Sequence, residues 1–307
     1  MRILVVGAGA VGGYFGGRLA EKGEDVTFLV RAGRKKQLED TGLMIESVKG
    51  NVTLTPKTLV AGEEAGPFDL IILSVKAYHL EGAIASFKQY VSEETAILPL
   101  LNGMYHFDRL VDEFGEKHII GGLCFIESTL DKNGKIIHTS AKHDIVFGER
   151  SGKETERILK IEKAFSGTVT GYRLSDNINR DNWNKYLFIA TLSGITTLMR
   201  SPIGPIREVP SSRATLTLLL KEITSLAKLS GAPLPVDIEA NIMTQIDSLA
   251  YQMKSSMQRD MEKLAQVEAD HLQGFLLDIA KLEGISVPVL EAVYGNLKVY
   301  ELQLQAQ

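Results

Sequence analysis

The feature that most constrains this chain is an apolar run that ends in three spaced glycines, Arg2-Ile-Leu-Val-Val-Gly-Ala-Gly-Ala-Val-Gly12. Ile3 to Val6 reads as a short buried strand, and Ala10 to Glu21 as a helix that follows at once. In that setting Gly7 permits the tight turn and Gly9 lets the backbone approach a pyrophosphate. Gly12 lets helix and strand pack closely, so the first helical N–H groups, at Ala10 and Val11, point with the positive end of the helix dipole toward phosphate. The strand–turn–helix context raises the pattern from a weak motif to a strong expectation of a dinucleotide-binding domain.

The second strand, Asp25 to Val30, indicates which dinucleotide. An acidic residue at its end would bind a ribose 2′-hydroxyl. Here Arg31 stands at that place, followed by Gly33, Arg34, Lys35 and Lys36, and no acid appears before Glu39. A guanidinium makes paired bonds to a 2′-phosphate, whereas a carboxylate would repel it. The expected cofactor is therefore NADPH, read by Arg31, with Lys35 and Lys36 more in keeping with a solvated basic run.

The 307 residues favour two domains. With 44% hydrophobic and 23% charged residues and a net charge of −4, the composition is that of an ordinary globular protein. It gives no sign of a nucleic-acid or membrane partner. The lone cysteine, Cys124, excludes an intrachain disulfide and fits a reducing, cytoplasmic setting; its apolar surroundings suggest a buried structural thiol. The glycine-rich start followed by Glu21-Lys-Gly-Glu-Asp25 argues against a cleaved secretion leader. The histidines show no metal-ligand spacing, so no metal site is expected.

Strand and helix signals alternate up to about residue 175. Strands are expected at 43–47, 51–54, 69–75, 95–101, 121–130, 135–139, 144–148 and 171–174, with helices at 80–90 and 153–165. This is a doubly wound Rossmann-type α/β domain, residues 1–175, with a more antiparallel edge. From 176 to 307 only helical periodicity remains, over about 180–199, 212–230, 236–265, 267–283 and 289–304, punctuated by prolines and by Gly231 and Gly284. Two such domains would close a cleft between them.

Ligands in open α/β sheets bind beyond the C-terminal strand ends. Lys76 ends the strand at 69–75, and Asn102-Gly103 ends that at 95–101, which favours site positions over a surface lysine and a plain turn. In the helical part, Lys185 lies on an otherwise apolar helix and by itself reads as a boundary lysine. The hydroxyls of Ser255 and Ser256 and the carboxylate of Glu268 would by themselves be solvated.

Taken together and in order, these motifs resemble the ketopantoate reductase (2-dehydropantoate 2-reductase) family. The resemblance is carried by Gly7-Ala-Gly-Ala-Val-Gly12, Arg31, Ser74-Val-Lys76-Ala, Leu101-Asn102-Gly103, Gly134-Lys-Ile-Ile-His138, Trp183-x-Lys185, Ser255-Ser256-Met257-x-x-Asp260 and Glu268. It implies NADPH-dependent reduction of ketopantoate to pantoate, for pantothenate and coenzyme A synthesis. Lys185 would be the general acid at the ketone oxygen, and Glu268 the active-site glutamate holding substrate hydroxyl. Ser256 would bind the substrate carboxylate, and Lys76 and Asn102 would border both nicotinamide and substrate, with Ser193 a further substrate-side position. The resemblance also allows a homodimer through the helical domain.

Two features qualify that picture. Ser256 and Glu268 would lie about 18 Å apart on one straight helix, so a break is expected near Ala265-Gln266. Where family members matched to ketopantoate carry asparagines, this chain has Ile189 and Ser193, and Met253 near a third. Another branched 2-oxo acid is therefore an alternative substrate, and a non-catalytic NADP(H)-binding regulator a further alternative.

Overall fold

The computed structural model describes residues 1–306. Its contacts divide the chain into two compact units, Met1–Leu101 with His106–Ile178, and Asn102–Tyr105 with the chain from Asn179 onward. The first unit begins with β1 (Arg2–Val6), α1 (Ala10–Lys22), β2 (Asp25–Leu29), α2 (Ala32–Thr41), β3 (Leu43–Ser47), β4 (Val52–Leu54) and β5 (Lys57–Leu59). There follow β6 (Leu70–Leu73), α3 (Leu80–Phe87), β7 (Ala96–Pro99), α4 (Tyr105–Phe114), β8 (Gly121–Leu130), β9 (Ile136–Gly148), α5 (Glu156–Phe165) and β10 (Gly171–Leu174).

Every residue of β6 and β7, and Ile3 to Val6 of β1, is buried, as continuous apolar strands must be when both faces of a sheet are covered. They form a wholly parallel sheet of order β5-β2-β1-β6-β7. The chain builds outward from β1 through β2 to β5, then resumes on the opposite side with β6 and β7. The switch point thus lies between the C-terminal ends of β1 and β6, where Val6 pairs with Leu73.

The second sheet is a departure from the expected antiparallel edge. It is a separate mixed sheet of order β10-β9-β3-β4, with β8 antiparallel along β9. The strands expected at 135–139 and 144–148 are one strand, β9, whose first part pairs β3 and whose last part pairs β10. The expected break survives as a shift in the β8 pairing, which steps from Ile126 opposite His143 to Ser128 opposite His138.

Helix α1 packs against strands of both sheets. Its paired glycines make this approach feasible. A methyl at Gly16 would stand 2.8 Å from Val5 and Phe28 of the parallel sheet, and one at Gly17 2.7 Å from Ile45 of the mixed sheet. One at Gly13 would stand 2.6 Å from Ile136. Helices α2 and α4 and strand β5 escape the sequence reading: α2 has no periodic apolar pattern, whereas α4 does present an amphipathic face, burying His106, Phe107 and Leu110.

The helical unit comprises α6 (Ile178–Met199), α7 (Ile203–Glu208), α8 (Pro210–Leu229), α9 (Ile238–Ser248), α10 (Ser256–Glu262), α11 (Phe275–Glu283) and α12 (Pro288–Gln305). Along α6, residues Ala190 to Thr197 are buried on every side, so the helix lacks an exposed stripe and shows no amphipathic pattern. Its hydroxyls turn back onto the helix, Thr196 donating to the Leu192 carbonyl and Thr197 to that of Ser193, both at 2.7 Å. Proline opens α8 and α12, and Glu222 of α8 accepts from the backbone N–H groups of Val289 and Leu290 at the head of α12 (3.2 and 2.8 Å).

The single helix expected over 236–265 is two helices. The chain after Leu249 turns away because Tyr251 and Met253 carbonyls accept from Gly204 and Ile203 N–H groups (2.9 and 3.0 Å). Ser255 then caps α10, accepting from the Gln258 N–H at 3.1 Å. The chain expected to be helical over 267–283 begins instead with a π-helical turn, Asp270–Gly274, that runs into α11.

Candidate functional site

The loop after β1 meets the loop after β6 at close range. A methyl on Gly7, whose φ is +97°, would stand 2.7 Å from the Ser74 carbonyl oxygen. One on Gly12 would stand 2.2 Å from the Gly7 carbonyl and 3.1 Å from Ser74 Cβ. These two glycines are therefore packing requirements. Gly9 differs: its absent Cβ faces nothing within 4 Å. The open space lies at the N-terminus of α1, which no side chain caps and whose first turn holds no acid. That is the donor set a dinucleotide pyrophosphate requires, so the residues present fit such a cofactor. Half-buried Lys76, in extended conformation, immediately precedes the 3₁₀ turn Ala77–His79 after β6, two residues beyond Ser74.

The basic run beyond β2 divides by role. Arg31 is exposed and immediately precedes α2. Burial, and then the charge of Arg31, holds His79 below its usual 6.5. Arg34 turns the other way: its guanidinium donates to the Ala8 carbonyl of the glycine loop (3.2 Å) and to Gln37 (2.6 Å). It braces the loop, a role the sequence does not reveal. Lys35 is occupied by an ion pair with Glu63 at 2.7 Å, and Lys36 is exposed.

In the helical unit, Lys185 and Ile189 are half-buried on α6, one turn apart. Ser193, a turn further on, is only 1% exposed. The two serines expected near the substrate separate: Ser255 is a buried helix cap that also bonds Thr196 (2.8 Å), whereas Ser256 is exposed at the first position of α10. The expected break is present. Helix α10 ends at Glu262, and Lys263 to Glu268 are non-helical. Leu264 takes the left-handed conformation (φ 53°), a position usually given to glycine, and the Ala265 N–H closes onto the Asp260 carbonyl at 2.9 Å. Half-buried Glu268 leads through buried Ala269 into the π turn, the Leu272 N–H bonding the Glu268 carbonyl at 3.1 Å.

Asn102 is half-buried and lies in the short segment that clusters with the helical unit. A methyl on Gly103 (φ +90°) would stand 3.1 Å from the His271 carbonyl, so this segment is seated on the π turn. Cys124 is buried. Among the described residues no helix is long and apolar enough to cross a membrane.

A nucleotide cradle on a parallel sheet, joined to an all-helical unit, is the architecture of a dehydrogenase-like oxidoreductase. Comparison with known proteins gives the particular lineage. Residues 3–152 match the family described as ketopantoate reductase PanE/ApbA, and residues 177–301 match its C-terminal counterpart. The chain belongs to the ketopantoate reductase family. Among its relatives, a Bacillus subtilis protein named uncharacterized oxidoreductase YkpB is 49% identical over 99% of this chain and 100% of its own length. The crystal structure of 2-dehydropantoate 2-reductase from Geobacter metallireducens is 29% identical, covers both chains completely and superposes with a TM-score of 0.87. A D-mandelate dehydrogenase, solved with NADH and anilino(oxo)acetate, shares the fold at 21% identity and a TM-score of 0.88, covering 99% of this chain and 100% of its own.

Proposed function

We propose that this oxidoreductase uses NADPH to reduce ketopantoate to pantoate, a step toward pantothenate and coenzyme A. Gly7, Gly9, Ala10, Val11 and Gly12 would hold the pyrophosphate, and Arg31 the 2′-phosphate. Lys76 and Asn102 would border nicotinamide and substrate. The bound cofactor supplies a hydride to the ketone carbon. Lys185 would donate its proton to the ketone oxygen, neutralising the alkoxide as it forms. Ser256 would take the substrate carboxylate and Glu268 the hydroxyl, with Ile189 and Ser193 shaping the space beside them. The work would proceed in the cytoplasm, where Cys124 stays reduced.

The observation that carries this reading is the break at Lys263–Glu268. It takes Glu268 off the axis of α10, so Ser256 and Glu268 are freed from the separation one straight helix would impose. A second reading, reduction of a different branched 2-oxo acid, is favoured by half-buried Ile189, which offers no hydrogen bond where a polar contact to a substrate hydroxyl would be worth about 1–3 kcal/mol. A mandelate dehydrogenase of the same fold is in keeping with it.

Steady-state oxidation of NADPH with ketopantoate, 2-oxoisovalerate and 2-oxo-3-methylvalerate separates these readings. The first expects ketopantoate to show the highest kcat/KM, and Lys185→Ala to lower kcat by roughly two orders of magnitude. Ketopantoate turned over no better than the others would remove the pantothenate role. Cofactor binding without turnover of any 2-oxo acid would leave a nucleotide-binding regulator.

A further inference from the structure

The π turn at Asp270–Gly274 is held by three neighbouring elements: α6, α12 and the segment at Asn102–Tyr105. The buried Tyr186 hydroxyl, on the residue after Lys185, donates to the Leu272 carbonyl at 2.5 Å. Burial pushes the Tyr186 hydroxyl well above its usual value, so it stays protonated as a donor throughout the working range. Gln273, fully buried, donates its amide to the Ala190 carbonyl of α6 at 3.2 Å. From α12, Tyr294 and Lys298 bond the Asp270 carboxylate (2.7 and 3.1 Å). Tyr105 packs edge-on against His271 at 4.9 Å, beside the close approach of Gly103.

A π turn inserts one extra residue into a helix and shifts everything before it by about 100° relative to a regular helix. Glu268 stands two residues before this turn, separated from it by buried Ala269, and Lys185 stands immediately before Tyr186. Two buried hydrogen bonds thus tie the segment carrying one candidate group to the helix carrying the other, and Asn102 arrives through Gly103 on the same turn.

We propose that Tyr186 and Gln273 are positioning residues that lock the π turn to α6 and so set the placement of Glu268 relative to Lys185. The inference rests on the assignment of Lys185 and Glu268 to the reaction, and extends it to two residues that touch neither substrate nor cofactor. Gln273 offers an unusually clean test. Its second amide atom, Oε1, is buried and has no hydrogen-bond partner among the described residues. Methionine there removes one hydrogen bond and one orphaned acceptor together, a change expected to be nearly neutral for folding.

The experiment compares wild type, Tyr186→Phe, Gln273→Met and Lys185→Ala in steady-state reduction of the best 2-oxo acid. Urea unfolding and amide hydrogen exchange over residues 268–275 are measured on the same proteins. Both positioning variants should lose kcat by on the order of 10- to 100-fold, as misplacement of reacting groups does. NADPH affinity should be unchanged and exchange in 268–275 faster, with Gln273→Met unfolding at the same urea concentration as wild type. Unchanged kcat and exchange in both variants would overturn the lock. A kcat loss that scales only with lost stability would reduce both residues to a structural role and equally overturn it. Undiminished turnover by Lys185→Ala would instead refute the underlying assignment, and the exchange measurement would still judge the lock by itself.

Discussion

The glycines of the first loop should respond to the same substitution in opposite ways. At Gly12 a methyl group would meet the Gly7 backbone carbonyl, which cannot swing aside as a side chain could, at 2.2 Å, so α1 and the loop must part by roughly 1 Å to restore normal contact. Overpacking of this kind costs about 1–3 kcal/mol, and Gly12→Ala should unfold at distinctly lower urea. At Gly9 the methyl meets nothing within 4 Å, and the backbone (φ −82°, ψ −166°) is extended and open to any residue. Losing glycine at a helix cap and gaining rigidity in the unfolded chain nearly cancel, leaving stability within about 0.5 kcal/mol. The same methyl would block the approach of a pyrophosphate. Losing one charge-assisted hydrogen bond, about 1.5–3 kcal/mol, weakens binding by roughly 10- to 100-fold. Urea unfolding of the protein alone and fluorescence titration with NADPH measure the two effects separately. If Gly9→Ala binds NADPH within twofold of wild type, no phosphate passes that point. If Gly12→Ala unfolds with the wild type, the close contact is not what holds the loop.

Other perturbations follow from single features. Arg31→Ala should weaken NADPH binding much more than NADH binding in parallel titrations; equal losses would show that Arg31 does not read the phosphate. Glu222→Ala strips the head of α12 of its cap and should cost about 1–2 kcal/mol in urea unfolding, an effect absent if water replaces the carboxylate. His138 and His143 share a buried cluster with Tyr14, which bonds His143 at 2.8 Å. Burial holds both below their usual 6.5, His138 and His143 being further disfavoured as cations by Arg18 and Lys49, with Asp144 opposing this at His143. The unfolded chain therefore binds more protons, and stability present above pH 6.5 should fall as pH drops from there toward the lower folded values. A His138→Gln/His143→Gln double variant that kept the same slope between pH 7 and 5 would refute this origin.

The strand–loop–helix at the start was legible because its glycine spacing encodes local geometry. The second role of that helix was not: Gly13 and Gly17 make sense only once Ile136 and Ile45, distant in sequence, are seen against them. The split between α9 and α10 was hidden for a similar reason. No proline or glycine marks residues 249–255, and the chain leaves the helix because Ile203 and Gly204 claim its carbonyls. The end of α10 gave no signal either, since Leu264 occupies a conformation that sequence rules reserve for glycine. The break itself was anticipated from what Ser256 and Glu268 would have to reach. Lys185 and Glu268 stood out through family resemblance rather than through any local pattern. The supporting Tyr186 and Gln273 could not have stood out at all, because a π turn leaves no periodic trace distinct from an ordinary helix.

Helix α1 is buried without interruption from Gly12 to Leu19, so for two full turns it has no outward flank. Neither sheet can release it to tilt without driving it into the other. An anion arriving at its head therefore meets amides already fixed in direction, and little ordering is left to be done on arrival. On the proposed cofactor assignment, stiffness gained by being gripped on both sides would become affinity at the tip.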